Sequence, residues 1–290
     1  MPVAVTPPCH SFCNTNNSRA GSDPERGNSP RFFLGNDAVI IMLVRQPLSF
    51  CLGILGMLAV AQASAGISLS GTRLVFDGKH KEAGITVRNT GDDVLIQSWV
   101  DSDGPDSTPV PFAVTPPLAR VTGNEQQLLR VIYEGTGMPS DKESVVWLNV
   151  QEIPQAAKTE NTLQLAVRQR IKVFFRPSGL TANAYLAPTE LQWQLRERAG
   201  KTVLGIDNPG LYHVSMGDIK LQSGQSTEIV VDSMMIAPGE HKELAVKQLN
   251  AAGTANLSFT SINDYGAQEH YTTQLVNATA TKASLTKASP

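Results

Sequence analysis

The residues best suited to binding chemistry lie in one segment, Leu163–Pro177. Its first half alternates large apolar residues with Gln, Ala and Arg, and those apolar residues are Leu163, Leu165 and Val167. Its second half carries the cations Arg170, Lys172 and Arg176. A strand of this kind could pair with an incoming strand, offer its apolar row to a groove and hold a terminal carboxylate with its cations.

A central sandwich strand whose apolar row is core is the competing interpretation of this segment. Lys172 also has the opposite parity to the apolar residues, and strict alternation therefore places it on the other face of the strand. Cooperation between the cation and the apolar row would need a bulge, a bend or a site at the end of the strand.

Signals for catalysis and for metal binding are weak. The histidines downstream of residue 65 are scattered, and they are His80, His213, His241 and His270. The sequence has no H-x-x-x-H spacing, no nucleophile elbow and no Gly-rich phosphate loop that opens a helix. A Ser-His-Asp triad assembled from distant strands stays open as an alternative. We expect a non-enzymatic protein without catalytic residues, metal or cofactor, and without a small-molecule substrate.

The elements that position these residues are short strands with period-two alternation, separated by Gly, Pro, Asn and Asp turns. Six to eight strands precede Pro177–Gly179, and a second series of seven follows it. This pattern is typical of immunoglobulin-like β-sandwiches. We therefore predict an all-β protein with two such domains, at 66–180 and 181–280, and a mobile tail at 281–290.

The first 65 residues predict a leader and a secretory signal. Residues 1–41 are rich in Pro, Asn, Ser and Arg and read as a disordered leader, or as a start codon placed upstream of a true start at Met42. Residues 42–65 combine a basic start, an apolar run and Ala63-Ser64-Ala65, which predicts cleavage after Ala65. A membrane anchor is the alternative, but the run is shorter than the roughly 18 apolar residues that a span needs.

Length and composition limit the remaining classes of protein. At about 100–150 residues per domain, 290 residues suggest two domains. Basic and acidic residues nearly balance, 24 against 26, which argues against nucleic acid as a partner. The three cysteines all precede the predicted cleavage site, so we expect no disulfide in the exported chain.

Four dispersed segments resemble one known family. They are Thr72–Phe76, Glu152–Pro154, Ile171–Pro177 and Ile262–Gly266, and they resemble the signature segments of the periplasmic pilus (fimbrial) assembly chaperones. The resemblance extends over roughly Gly66 to Val276. It implies two immunoglobulin-like domains arranged as an L with an interdomain cleft.

The resemblance also implies a function. Such chaperones act in the periplasm, where they bind, fold and cap pilus subunits by donor-strand complementation and deliver them to an outer-membrane usher. Self-association of the free chaperone is a further expectation. The short connection from Gln155 to Thr162 resembles the short-loop branch of the family. A secreted two-domain structural or adhesive protein is the alternative function.

Residue roles follow from the same resemblance. Arg73 and Lys172 match the pair that anchors the subunit's C-terminal carboxylate, and Leu163, Leu165 and Val167 match the donor-strand residues. Glu143, Arg176 and Asp264 match an interdomain charge network. Exposed surface pairs with little effect on stability are the alternative for this network.

Overall fold

A computed structural model describes residues 66–103, 109–153, 165–249, 253–276 and 279–286 of the chain. Nearly all of the regular structure is β-strand, arranged as four sheets with two separate hydrophobic cores. The prediction of an all-β protein with two immunoglobulin-like sandwiches is therefore confirmed.

Within the described residues, the first sandwich contains nine strands. They are β1 (Ile67–Leu69), β2 (Arg73–Asp77), β3 (Glu82–Asn89), β4 (Val94–Asp101), β5 (Phe112–Thr115), β6 (Leu118–Val121), β7 (Gln126–Tyr133), β8 (Ser144–Ile153) and β9 (Arg168–Arg176). One sheet has the order β1-β3-β7-β5 and the other β2-β9-β8-β4-β6. All of the neighbouring strands are antiparallel except β2 and β9, which run parallel.

A cluster of aromatic rings fills one end of the first core. Phe76 is fully buried, and its ring centroid lies 5.7 Å from those of Phe112 and Phe175. Tyr133 closes the cluster at 4.6 Å from Phe175. Because Phe76 lies on β2 and Phe175 on β9, this packing fixes the two parallel strands beside each other.

The second sandwich contains the other nine strands. They are β10 (Gln192–Arg198), β11 (Lys201–Asp207), β12 (Val214–Ser223), β13 (Ser226–Ile236), β14 (His241–Ala245), β15 (Thr254–Ile262), β16 (Gln268–Val276), β17 (Thr281–Lys282) and β18 (Ser284–Leu285). The sheet orders are β14-β11-β10-β17 and β13-β12-β15-β16-β18. Buried Trp193, Phe259 and Tyr271 stack at the centre of its core, with centroids about 5 Å apart.

A short helical segment leads from the first sandwich into the second. A 3-10 turn spans Ala184–Leu186 and continues as helix α1, Ala187–Glu190. Asn183 begins the turn because its side-chain oxygen accepts a hydrogen bond of 3.0 Å from the Tyr185 backbone N–H. Pro188 lies in the first turn of α1, where its missing N–H costs no hydrogen bond.

The strand expected from Leu163 to Phe175 is shorter than predicted in the described part of the chain. β9 begins at Arg168, and Leu165 to Val167 have no regular structure. Val167 still accepts a backbone hydrogen bond of 2.9 Å from Glu152. The last pair in the β8–β9 register is Gln151 with Arg168, so the regular pairing of β9 begins at Arg168.

The tail that we expected to be mobile is partly built into the fold. Thr281–Lys282 pair with Gln192 and Trp193 in one sheet, and Ser284–Leu285 pair with Tyr271 and Thr272 in the other. Ala283 between them is buried. The expectation is therefore wrong for 281–286, because this small residue reaches the core while its neighbours complete both sheet edges.

Several predictions concern residues outside the described ranges. These are the leader at 1–41, the signal at 42–65, the connection from Gln155 to Thr162, the donor residue Leu163 and the chain end at 287–290. Within the ranges that are described, no helix is both long enough and apolar enough for a bilayer crossing.

Candidate functional site

Arg73 and Lys172 lie side by side on the parallel strands β2 and β9. Their Cα atoms are partners in the register, and the pairing continues without a shift to Asp77 and Arg176. The β-branched and aromatic residues of β2 and β9 favour extended backbone. The parallel pairing therefore brings together two cations that are 99 residues apart in the sequence.

Both cations have a lowered pKa. Burial lowers the pKa of Lys172, and the positive charge of Arg73 lowers it further, against the opposing effect of the Asp103 charge. Burial also lowers the pKa of Arg73, against the opposing effect of the Asp264 and Glu143 charges. Among the described residues, no acidic side chain forms an ion pair with either cation. An anion placed between them would offset both the desolvation and the repulsion.

Arg73 is held in place by the second sandwich. Its Nη1 donates a hydrogen bond of 2.8 Å to the backbone carbonyl of Ile262, at the end of β15. Its guanidinium lies 5.5 Å from the ring centroid of Phe174. Its Nε is buried and has no partner in the described part of the chain. The guanidinium is thus oriented while part of its donor capacity stays free.

Arg170, another cation of the segment, does not join this pair. Its Nη2 lies 3.0 Å from Asp101, and Nη1 lies 3.4 Å from Asp103. The guanidinium also lies 4.1 Å from the ring centroid of Trp147. Arg170 is therefore neutralised within the first sandwich, in contrast to Lys172.

The apolar row of the predicted donor segment is exposed where it can be described. Leu165 is 71% exposed and Val167 is 47% exposed. Further along β9, residues of the same parity, Ile171 and Val173, are buried in the first core. One apolar row thus passes from the sandwich interior, at Ile171 and Val173, to solvent at Val167 and Leu165.

Arg176 binds two carboxylates from separate parts of the chain. Its Nε donates to Glu143 Oε2 at 2.7 Å, and Nη1 and Nη2 donate to the two oxygens of Asp264, also at 2.7 Å. The Glu143 side chain is 1% exposed, so this is not a surface pair. Burial lowers the pKa of Arg176, but the hydrogen bonds and charges of the two acids outweigh it and raise that pKa above its ordinary value. The structure thus brings Glu143, Arg176 and Asp264 together across the two sandwiches.

The sequence analysis missed His213 in this network. The His213 backbone N–H donates to Glu143 Oε1 at 2.8 Å, and its ring Nδ1 lies 3.0 Å from the same oxygen. The Glu143 N–H in turn donates to the carbonyl of Leu211 at 2.9 Å. Two of these contacts use backbone N–H groups, which no sequence motif reveals.

A glycine also sets how closely the two sandwiches approach. Gly266 has φ +83°, and a Cβ at this position would lie 2.9 Å from the Thr72 hydroxyl. Any other residue would combine a strained backbone with a steric conflict beside Arg73. The turn Asn263–Gly266 therefore packs directly against the start of β2.

A cleft of about 520 Å³ opens between the two sandwiches beside these groups. Arg73, Phe174 and Arg176 line it from the first sandwich, and residues of the linking helical segment, of β12 and of the turn after β15 line it from the second. Within the described ranges, no group of three or more His, Cys, Asp or Glu side chains is arranged to hold a metal ion.

We expect that Arg176→Met lowers the free energy of unfolding by about 3–5 kcal/mol, because it leaves the buried Glu143 carboxylate without its cation. Urea unfolding of the two proteins measures the difference. Arg120→Met is the matched control, because Arg120 forms an exposed pair with Asp93 whose loss costs about 0–1 kcal/mol. Equal effects of the two substitutions would contradict a structural role for the network.

Comparisons with known proteins agree with this architecture. Residues 66–181 match the family described as "Pili and flagellar-assembly chaperone, PapD N-terminal domain", and residues 186–273 match "Pili assembly chaperone PapD, C-terminal domain". The probable fimbrial chaperone YadV of Escherichia coli K12 is 36% identical over 214 residues, which cover 70% of this chain and 87% of YadV. The chaperone protein LpfB of Salmonella typhimurium is 35% identical over 233 residues, or 77% of this chain and 95% of LpfB.

Solved structures give the same result. The YadV crystal structure superposes with a TM-score of 0.63 at 35% identity, covering 73% of this chain and all of the YadV chain. Salmonella enterica SafB, solved in complex with the SafA pilin, shares the fold with a TM-score of 0.60 at 24% identity, over 74% of this chain and 98% of SafB. The chain therefore belongs to the PapD-like family of pilus (fimbrial) assembly chaperones.

Proposed function

We propose that this fimbrial chaperone captures pilus subunits by lending them a strand and by anchoring their C-terminal carboxylate. The observation that carries this proposal is the arrangement on β9. Leu165 and Val167 form an exposed apolar row just before β9, and β9 carries Lys172 beside Arg73 of β2. Neither cation has an acidic partner in the described residues. Leu163 extends the row by sequence.

The anchor works by charge-assisted hydrogen bonding. Arg73 and Lys172 stand next to each other on parallel strands, and both are part-buried. A carboxylate that accepts hydrogen bonds from both would make contacts about twice as strong as neutral ones. It would also remove the repulsion between the two cations, so that capture is driven by relief of an unfavourable arrangement as well as by new contacts.

The anchor also sets the register of the lent strand. Side chains alternate along a strand, so a slip of one residue would turn every groove-filling side chain to the wrong face. A carboxylate fixed at Arg73 and Lys172 defines the end of the subunit strand. Leu163, Leu165 and Val167 then meet defined positions of the subunit groove. Release by exchange of one strand for another needs no cofactor and no catalysis.

The location and the second partner follow from the same proposal. The basic start, apolar run and Ala63-Ser64-Ala65 of residues 42–65 support export to the periplasm with cleavage after Ala65. There the chaperone would hand subunits to an outer-membrane usher. The Arg176 network would keep the two sandwiches in a fixed relation while this happens. The alternative function, an adhesive two-domain protein, gives no reason for two adjacent cations without partners.

We expect that Arg73→Ala and Lys172→Ala each reduce capture of the pilus subunits encoded by neighbouring genes by about tenfold or more. Each substitution removes hydrogen bonds to a charged group, which contribute about 1.5–3 kcal/mol. Co-purification of the subunit with tagged chaperone measures the loss, and circular dichroism checks that the variants are folded.

Arg130→Ala is the control for these variants, because Arg130 is an exposed cation on β7 in the other sheet. Normal capture by either anchor variant would rule out the assigned role of that residue.

The affinity for a carboxylate should fall at alkaline pH. The pKa of Lys172 in the free chain lies below the ordinary 10.5, and a bound carboxylate favours the charged amine and raises that pKa. The affinity is therefore highest at pH values below the Lys172 pKa of the free chain, and it falls as the pH rises through that value. Fluorescence anisotropy of a labelled peptide with a free C-terminus measures the profile. Lys172→Arg should move the alkaline loss to higher pH, and an unchanged profile would contradict the prediction.

We expect that Leu165→Asp abolishes subunit capture without lowering the stability of the free chaperone. Leu165 is exposed in the free protein, but a carboxylate at this position would have to be buried in the subunit groove. Ile229→Asp, at an exposed position of the second sandwich, serves as the control. Retained capture by Leu165→Asp, measured by the same co-purification, would show that this row does not enter the subunit.

A further inference from the structure

Trp147 places a large aromatic ring on the outer face of the first sandwich. Its neighbours on β8, Val146 and Leu148, are buried in the first core, whereas Trp147 is only part-buried and lies outside that core. We propose that Trp147 is a positioning residue for the anchor, and that the face of its indole ring holds the Lys172 ammonium beside Arg73. The inference rests on the proposed function and adds a residue that orders the anchor before a carboxylate binds.

The anchor and this ring lie in one row across the sheet. Arg73 of β2 is paired with Lys172 of β9. Trp147 is paired with Lys172 on its other side, and with Asp101 of β4 beyond it. Directly opposed residues of neighbouring strands point to the same face of a sheet, where their side chains interact. Lys172 therefore stands between a second cation and an aromatic ring.

The Lys172 ammonium lies against the Trp147 ring. Its Nζ is 5.6 Å from the ring centroid, within the distance at which a cation is attracted to an aromatic face. Between described residues, this ammonium forms neither a hydrogen bond nor an ion pair. A lysine side chain loses considerable rotamer freedom when a ligand orders it. A ring that restricts the side chain beforehand lowers that cost and strengthens binding.

Arg170 in turn holds the ring in place. Its guanidinium lies 4.1 Å from the Trp147 ring centroid and is bound by Asp101 and Asp103. The side-chain amide of buried Asn149 donates to Asp101 at 2.8 Å. The indole N–H of Trp147 is buried and has no partner in the described part of the chain. Contacts of the ring, rather than a hydrogen bond from its N–H, therefore fix its position.

The first test compares two apolar substitutions, of which only one keeps an aromatic ring. Binding of a labelled peptide of alternating Val and Thr, as free acid and as amide, is measured by fluorescence anisotropy. We expect Trp147→Leu to bind the acid about fivefold more weakly than the unchanged protein, because Lys172 must then be ordered on binding. Its affinity for the amide should not change. Trp147→Phe should stay within about twofold of the unchanged protein for both peptides.

The second test follows the titration of Lys172 in the free chaperone, by NMR of the lysine Cε–H groups. Lys172→Arg identifies the signal by its loss. An aromatic face favours the charged amine, so Trp147→Leu should move the Lys172 titration to lower pH, and Trp147→Phe should move it less. The charged neighbours, which both variants retain, are Arg73, Arg170, Asp101 and Asp103.

Trp99→Leu is the matched control. Trp99 is part-buried on the same outer face, but its ring lies near Arg168, with the guanidinium carbon 5.9 Å from the centroid. This variant should keep both the affinity for the acid and the Lys172 titration. Circular dichroism checks that all variants are folded.

The outcomes separate the positioning role from the anchor. If the unchanged protein prefers the acid and Trp147→Leu keeps that preference in full, the positioning role is wrong and the anchor stands. If Trp147→Phe loses as much affinity as Trp147→Leu, packing explains the effect and the role of the ring face is overturned. If acid and amide bind the unchanged protein equally well, the anchor itself is wrong.

Discussion

Period-two alternation along β9 is the constraint on which the rest of this molecule depends. One face of the strand carries Ile171, Val173 and Phe175 into the first core. The other face carries Phe174 and Arg176 to the cleft beside the second sandwich, and Lys172 lies on the same face beside Arg73 of β2. Because the register with β8 and β2 shows no shift, these assignments hold along the whole strand. One strand therefore contributes to a core, to the proposed anchor and to an interdomain contact.

The cations of β9 differ in whether an acidic side chain neutralises their charge. This difference distinguishes cations that stabilise the fold from a cation that could bind a ligand. Arg176 is bound by Glu143 and Asp264, and Arg170 by Asp101 and Asp103. Lys172 faces another cation, Arg73, instead of an acid. A paired buried cation holds the fold together, since removal of one partner is costly. Two adjacent cations without an acidic partner favour the binding of an external anion. The proposed anchor would bind the subunit carboxylate in this way.

The fold was largely predictable from sequence, whereas the connections among the candidate site residues were not. Strand alternation and turn residues predicted two sandwiches, because period-two patterns report directly on which face is buried. The start of β9 was misplaced, because the apolar alternation of Leu165 and Val167 does not show that regular pairing with β8 begins only at Arg168. The tail at 281–286 was misjudged, because its short strands depend on one small buried residue, Ala283, and not on an apolar pattern. His213 and the Ile262 carbonyl were missed, because backbone groups take part in those contacts and carry no residue signature.

The second sandwich is more than a support for the first, because it completes the surroundings of Arg73. The Ile262 carbonyl accepts a hydrogen bond from that guanidinium. The close approach of Gly266 to Thr72 positions the strand on which Arg73 lies. The carboxylate of Asp264, which Arg176 binds, partly offsets the lowering of the Arg73 pKa by burial. A side chain as long as arginine loses considerable freedom when it is ordered for a ligand. Here part of that ordering is already present in the chain by itself, so the contact between the two sandwiches and the proposed anchor are aspects of one arrangement.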